Sequence, residues 1–152
     1  LAPGSVIELP AAEPGAYDAL RLSLGLPDGS RDMDIDKSTL LECGFEELHG
    51  VDFDKGCYMG QELTARTKYR GLVKRRLFPV KIDGPLPEPG AAIDFNGADA
   101  GTIKSGAGDQ AIALLRLQVV EDARAAGGAL TSGATKITPI RPAWMQATPP
   151  ES

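Results

Sequence analysis

Cys57 stands between two glycines in the segment Lys55-Gly56-Cys57-Tyr58-Met59-Gly60-Gln61-Glu62, the part of the chain best supplied with reactive groups. A thiol serves as nucleophile, redox group or soft metal ligand through its thiolate, a form that nearby cations and helix starts favour. Lys55 lies two residues ahead of the thiol, and Arg66, Lys68, Arg70, Lys74, Arg75 and Arg76 follow, with Glu62 the single acid between Lys55 and Arg76. This run predicts a locally positive surface suited to an anionic ligand or partner. The bland reading of Cys57 is a small buried residue, since free cysteines are commonly buried. Tyr58 either stacks on a planar ligand or anchors the turn in a core. Arg66 and Arg70, four apart on one helix face, either meet carboxylates through forked hydrogen bonds or form a solvated face. Gln61 and Glu62 are of a type and place to satisfy free backbone donors of the Cys57 turn.

The elements that must position these groups follow from the punctuation. Gly56 and Gly60 bracket a turn, and Gln61 to Lys68 is built of good helix formers with no breaker before Gly71. The motif therefore reads as a turn feeding a basic helix. Upstream, Ser5 to Leu9 reads as a short strand ended by Pro10. A helix follows from Pro14, with Tyr17, Leu20, Arg21 and Leu24 on one face and Gly25 and Pro27 closing it, its apolar side toward a core. Asp28 to Lys37 reads as an exposed loop with solvated acids. Ser38 or Thr39 caps a short turn through Glu42, and Leu48 to Phe53 leads as an extended segment into the motif. Beyond Lys74 the runs Leu77–Ile82, Ala91–Phe95, Ala100–Lys104, Ala111–Leu117 and Ala134–Ile140 read as strands of a small antiparallel barrel or sandwich, separated by Gly and Pro clusters. Val119 to Ala126 is a helical turn or a loop, and Trp144 a lid on the barrel core.

Composition bounds the function classes. A net charge of -5, with 42% hydrophobic and 24% charged residues, is that of an ordinary globular protein and argues against non-specific nucleic-acid binding. No apolar run approaches the roughly 20 residues that span a bilayer, so no membrane partner is expected. Two cysteines, Cys43 and Cys57, make no disulfide framework, which points to a reducing compartment and an expectation of cytoplasm. Cys43, Cys57 and His49 fit no zinc spacing, so no metal site is predicted. The chain opens on Leu-Ala-Pro-Gly rather than Met, which reads as the C-terminal portion of a longer protein.

Lys55 to Glu62 resembles the K-G-C-Y-x-G-Q-E signature of YgfZ-type proteins, folate-binding relatives of the glycine-cleavage T-protein (aminomethyltransferase-like) superfamily. The approach Leu48 to Asp54 and the continuation Leu63 to Gly71 are similar to that family too, and Gly97 to Leu117 resembles the superfamily's C-terminal barrel. The resemblance implies an α+β chain: the C-terminal part of a folate-binding α/β domain at 1–73, an antiparallel β-barrel at 74–146 and a frayed tail at 147–152. It implies a tetrahydrofolate-binding accessory protein supporting iron–sulfur cluster assembly or repair, more an accessory factor than a stand-alone enzyme. Folate and iron–sulfur assembly proteins or client iron–sulfur enzymes would be its partners. Tyr17 inherits a role stacking on folate, Glu42 corresponds to an acid near the pterin pocket, and Tyr58, Arg66 and Arg70 join them as candidate folate contacts. Cys57 is the candidate functional thiol, with Lys55, Gly56, Gly60, Gln61 and Glu62 shaping its turn. Leu20-Arg21-Leu22-Ser23-Leu24-Gly25 is similar to the superfamily's L-R-x-E-x-G folate segment, with Ser23 in place of the glutamate. That departure counts against the alternative, an aminomethyltransferase-like one-carbon transferase. An RNA-binding module using Lys55 to Arg76 is the remote third reading.

Overall fold

A computed structural model describes residues 11–57, 59–69 and 73–145. The expected strand at Ser5–Leu9, the side chains of Tyr58 and Arg70, and the expected frayed tail at 147–152 lie outside the described residues. Six antiparallel strands close a barrel: β1 (Arg75–Asp83), β2 (Ala92–Phe95), β3 (Ala98–Ala107), β4 (Gln110–Arg116), β5 (Leu130–Ser132) and β6 (Thr135–Pro139). Around the barrel their order is β1-β4-β3-β2-β5-β6, with β6 returning to β1. Asn96 and Gly97, both at positive φ, turn β2 into β3, the two-residue connection that matches strand twist.

Phe78, Val80 and Ile82 of β1 point inward with Ile93, Ile103, Leu115, Leu130 and Ile137 to form the barrel core. The neighbouring Leu77 points outward, yet it is also buried, because Leu22, Cys43 and Ile112 pack with it in a second cluster outside the barrel. This cover on both faces explains why Arg76 to Val80 form one unbroken buried run rather than an alternating one. Pro79 lies within it, and its carbonyl accepts from Ile140 N–H at 2.8 Å. The lid expected of Trp144 is present: the ring packs against the barrel core and its Nε1 donates to Leu24 O at 2.8 Å.

Several expectations need correction. Val119 to Ala126 belongs to a full helix, α4 (Leu117–Ala125), with Ala123 buried against the barrel. β5 went unread in the sequence because it is three residues long. The helix expected near Tyr17 is α1 (Ala16–Leu24), closed by Gly25 at φ 71, where Leu26 N–H bonds Arg21 O at 2.8 Å and Gly25 N–H bonds Leu22 O at 3.0 Å. Its expected apolar face does not face the core. Tyr17, Leu20 and Leu24 are 73%, 59% and 47% exposed, whereas Arg21 is 3% exposed. The helix is seated by the buried Arg21 and Leu22 rather than by the expected stripe. Arg21 Nη1 meets Asp32 Oδ2 at 3.0 Å, and its Nη2 donates to Ser105 Oγ at 2.8 Å. Asp32 therefore is not solvated as the acids of its stretch were expected to be; it ends a helical turn, α2 (Gly29–Asp32), capped by Asp28. Leu48 to Phe53 is not extended: residues 40–49 form consecutive turns, with Leu48 N–H bonded to Gly44 O and His49 at φ 57.

Candidate functional site

The Cys57 turn sits where the motif predicted, ahead of helix α3 (Gln61–Tyr69). Residues 52–57 adopt neither helix nor strand, so their placement depends on side chains and on the elements at each end. Gly60 at φ 84 adopts a conformation that a side chain would strain, and its carbonyl accepts from Thr64 N at 3.3 Å and Thr64 Oγ1 at 3.2 Å to begin the helix. A side chain at Gly56 would meet open space, and Cys57 itself is free and exposed, with Met59 fully exposed beside it. Cys43, the other free thiol, is 3% exposed in the outer cluster. Burial, chiefly, pushes its pKa up to about 11, with the Glu42 charge adding to the rise.

The positive surface expected from Lys55 to Arg76 is largely neutralised. Three acids of the turns at 40–49 reach across to it: Glu42 Oε1 accepts from Arg75 Nε at 3.1 Å, Glu46 pairs with Lys68, and Glu47 pairs with Arg76. Lys68 also lies over the Phe53 ring, 4.0 Å from its centroid. Arg66 Nη2 bonds Glu62 Oε1 at 2.6 Å on the outer face of α3, an exposed pair of the kind worth about 0.3–0.5 kcal/mol. Counting lysines and arginines in this stretch could not reveal the pairing, because the compensating acids precede the motif in sequence.

Glu42 is thus a clasp. Besides Arg75, its Oε2 accepts from Thr39 Oγ1 at 3.1 Å, and its carbonyl accepts from Leu77 N–H at 2.8 Å. Tyr17 and Glu42 reside on separate segments that share the outer cluster, through Leu22 on α1 and Cys43 beside Glu42. Tyr17 presents its ring to solvent on α1, and Gln61 is half-buried at the start of α3. Ser23 Oγ donates to Leu20 O at 2.7 Å on its own helix.

Two clefts flank the motif. One of about 450 Å³ lies between the turns at 38–41 and the head of α3, with Leu40, Lys55, Met59, Thr64 and Thr67 in its lining. The other, about 340 Å³, is lined by Glu46, His49, Asp52, Phe53, Asp54 and Lys68. Among the described residues, no group of three or more His, Cys, Asp or Glu side chains is arranged to hold a metal ion. Sequence reading placed Lys68 only in the basic run and gave Glu46 and Phe53 no role, and no local spacing marks their meeting, because the three come together only in the folded chain.

Comparison with known proteins agrees with the barrel. Residues 74–147 match the family model described as the CAF17 C-terminal β-barrel domain. Over 69% of its length the chain is 41% identical to the mouse protein named iron-sulfur cluster assembly factor IBA57, mitochondrial, covering 31% of that relative. The human protein of that name is 40% identical over 71% of the chain, covering 34% of the relative. The Aspergillus fumigatus homologue is 33% identical over 78% of the chain, covering 30% of the relative. The chain therefore spans about a third of the length of the curated relatives it matches. The expectation of cytoplasm is overturned, since these relatives are mitochondrial by name. Two free thiols indicate only that disulfides are not needed, and that does not single out one compartment. The closed barrel thus matches the CAF17 C-terminal β-barrel domain, and the chain is similar over about 70% of its length to proteins named iron-sulfur cluster assembly factor IBA57.

Proposed function

We propose that this protein acts in iron–sulfur cluster assembly or repair, with Cys57 as the thiol it offers to a cluster or to a cluster-carrying partner. The exposed, glycine-flanked position of Cys57 at the head of α3, against the burial of Cys43, is the observation that carries this reading. Thiolates are the protein ligands of most iron–sulfur clusters and the attacking groups of thiol exchange, and both uses require access. Partners are accordingly iron–sulfur assembly proteins or client iron–sulfur enzymes. The Lys55 to Glu62 string favours a YgfZ-type protein as the finer placement within the superfamily. Replacing Cys57 with Ser in the intact protein is expected to abolish support of cluster-containing enzymes in cells while leaving the fold unchanged. Full retention of that support would remove Cys57 from the proposed role.

Tetrahydrofolate or a derivative is the ligand we propose alongside this thiol. Tyr17 supplies an exposed ring for stacking, and the Arg66 guanidinium, in an exposed pair that exchanges readily, suits a carboxylate tail. Glu42 does not fit the role of a free pterin acceptor, since Arg75 and Thr39 occupy its oxygens. The described residues thus supply pieces of a folate site and not an enclosed pterin cradle. Titration of the protein with tetrahydrofolate, followed by fluorescence, is expected to show saturable quenching, and a flat titration would remove folate from the reading. The one-carbon transferase alternative lacks a carboxylate at Ser23, whose hydroxyl turns back to its own helix. The RNA-binding alternative loses its electrostatic basis, because Glu42, Glu46, Glu47 and Glu62 pair with the cations that phosphates would need.

A further inference from the structure

We propose that Lys68 is the positioning residue of the Cys57 loop, an inference that rests on the thiol reading above. The loop leaves the turns at 40–49 through Phe45, whose carbonyl accepts from Gly50 N–H at 2.7 Å and Val51 N–H at 3.2 Å. This reversal brings Phe53 back beside Glu46. The loop then runs through Cys57 and re-enters regular structure at α3, so it has two stems, Phe53 on one side and α3 on the other. Lys68 joins them. Its ammonium belongs to α3, lies over the Phe53 ring at 4.0 Å from the centroid, and pairs with the Glu46 carboxylate.

Glu46 is a fixed post for this grip. Its turn segment is tied to the barrel on both sides, by Arg75–Glu42 and Leu77 N–H to Glu42 O before it and by Arg76–Glu47 after it. A cleft of about 340 Å³ opens among Glu46, Phe53 and Lys68 at the base of the loop, so the space between its stems is not filled. A lysine suits the task because a compact charge on a flexible stem can meet a carboxylate and an aromatic face together. Loss of the ammonium would free the stem at Phe53 from the stem at α3, and the Cys57 tip would move without disturbance to the barrel core.

A nitroxide label on Cys57 reads this out, since Cys43 is buried and stays unlabelled. In the native protein the electron paramagnetic resonance spectrum is expected to contain a slow component from a held loop. Lys68→Met should lose that component with an unchanged circular dichroism spectrum, and Lys68→Arg, which keeps both contacts, should restore it. Where Lys68→Met does not fold, Phe53→Leu tests the ring contact alone and should give partial loss of the slow component. Spectra of folded variants that superimpose on the native one would overturn the proposal. The outcome is separable from the thiol reading, because full cluster-enzyme support by a Cys57→Ser protein would sink that reading while the label spectra stood unchanged.

Discussion

Arg21 and Asp32, eleven residues apart, meet as a buried ion pair at 3.0 Å, with side chains 3% and 0% exposed. Ser105 closes the arrangement: its hydroxyl accepts from Arg21, and its N–H donates to Asp32 Oδ1 at 3.0 Å. The network ties α1 and α2 to β3 of the barrel. Removal of Arg21 leaves the buried Asp32 charge without its cation, so Arg21→Met is expected to cost about 3–5 kcal/mol in denaturant unfolding, and Asp32→Ala less, because Arg21 keeps Asp18 Oδ1 at 2.7 Å. The double variant should cost well below the sum of the two. Additive losses would mean that the two groups do not act as a pair.

The two thiols should react very differently. Cys57 is exposed, whereas Cys43 is buried with its pKa raised from 9.0 to about 11. In the folded protein a maleimide or iodoacetamide should modify Cys57 promptly and Cys43 only after denaturation, as read by mass spectrometry of the digested protein. A raised value also has a consequence for stability. Cys43 contributes fully below the unfolded value near pH 9 and loses that contribution as pH rises through about 11. A Cys43→Ala protein should show a flatter alkaline stability profile over that window.

The parts of the fold written in local spacing were legible in the sequence. Five of the six barrel strands, the Cys57 turn and the helix after it rest on short apolar or alternating runs and glycine punctuation, and the structure has them. What was misread depends on contacts between distant residues. Arg21 was placed among apolar neighbours on a helix face, yet its partners Asp32 and Ser105 lie 11 and 84 residues away. The basic stretch looked positive because Glu42, Glu46 and Glu47, which neutralise much of it, come before the motif. Cys57 itself was legible as a candidate site, whereas the Lys68 grip on its loop was not.

Acid should loosen α1 and α2 before it affects the barrel. Hydrogen bonds from Arg31, then Arg21, hold the Asp18 carboxyl well below the usual carboxylate range, and Ser30, then Arg31, do the same for Asp28. A depressed folded value means stability that is present above the ordinary value near 3.8 and lost as pH falls through the lower folded one. Thermal midpoints are therefore expected to decline below about pH 4, modestly because both carboxylates are open to solvent. Asp18→Asn should lower stability at neutral pH and make the acid limb shallower. An unchanged acid limb in that variant would show that other carboxylates set it.

Gly101 is the backbone position where the barrel tolerates a side chain least. It sits at φ 143, and a Cβ there would stand 2.0 Å from the Leu114 carbonyl oxygen across the β3–β4 pair. Relief would require moving backbone that belongs to a closed hydrogen-bonded ring, since β4 is paired on its other side with β1. Gly101→Ala thus adds a clash to conformational strain, and a loss of about 3 kcal/mol or more is expected. Gly97 provides the contrast. It has positive φ as well, at 82, but its Cβ would meet nothing within 4 Å. Gly97→Ala should therefore cost only the left-handed strain, about 1–2 kcal/mol. Denaturant unfolding of the two variants side by side checks the argument, and equal losses would show that strain rather than the Leu114 contact governs Gly101.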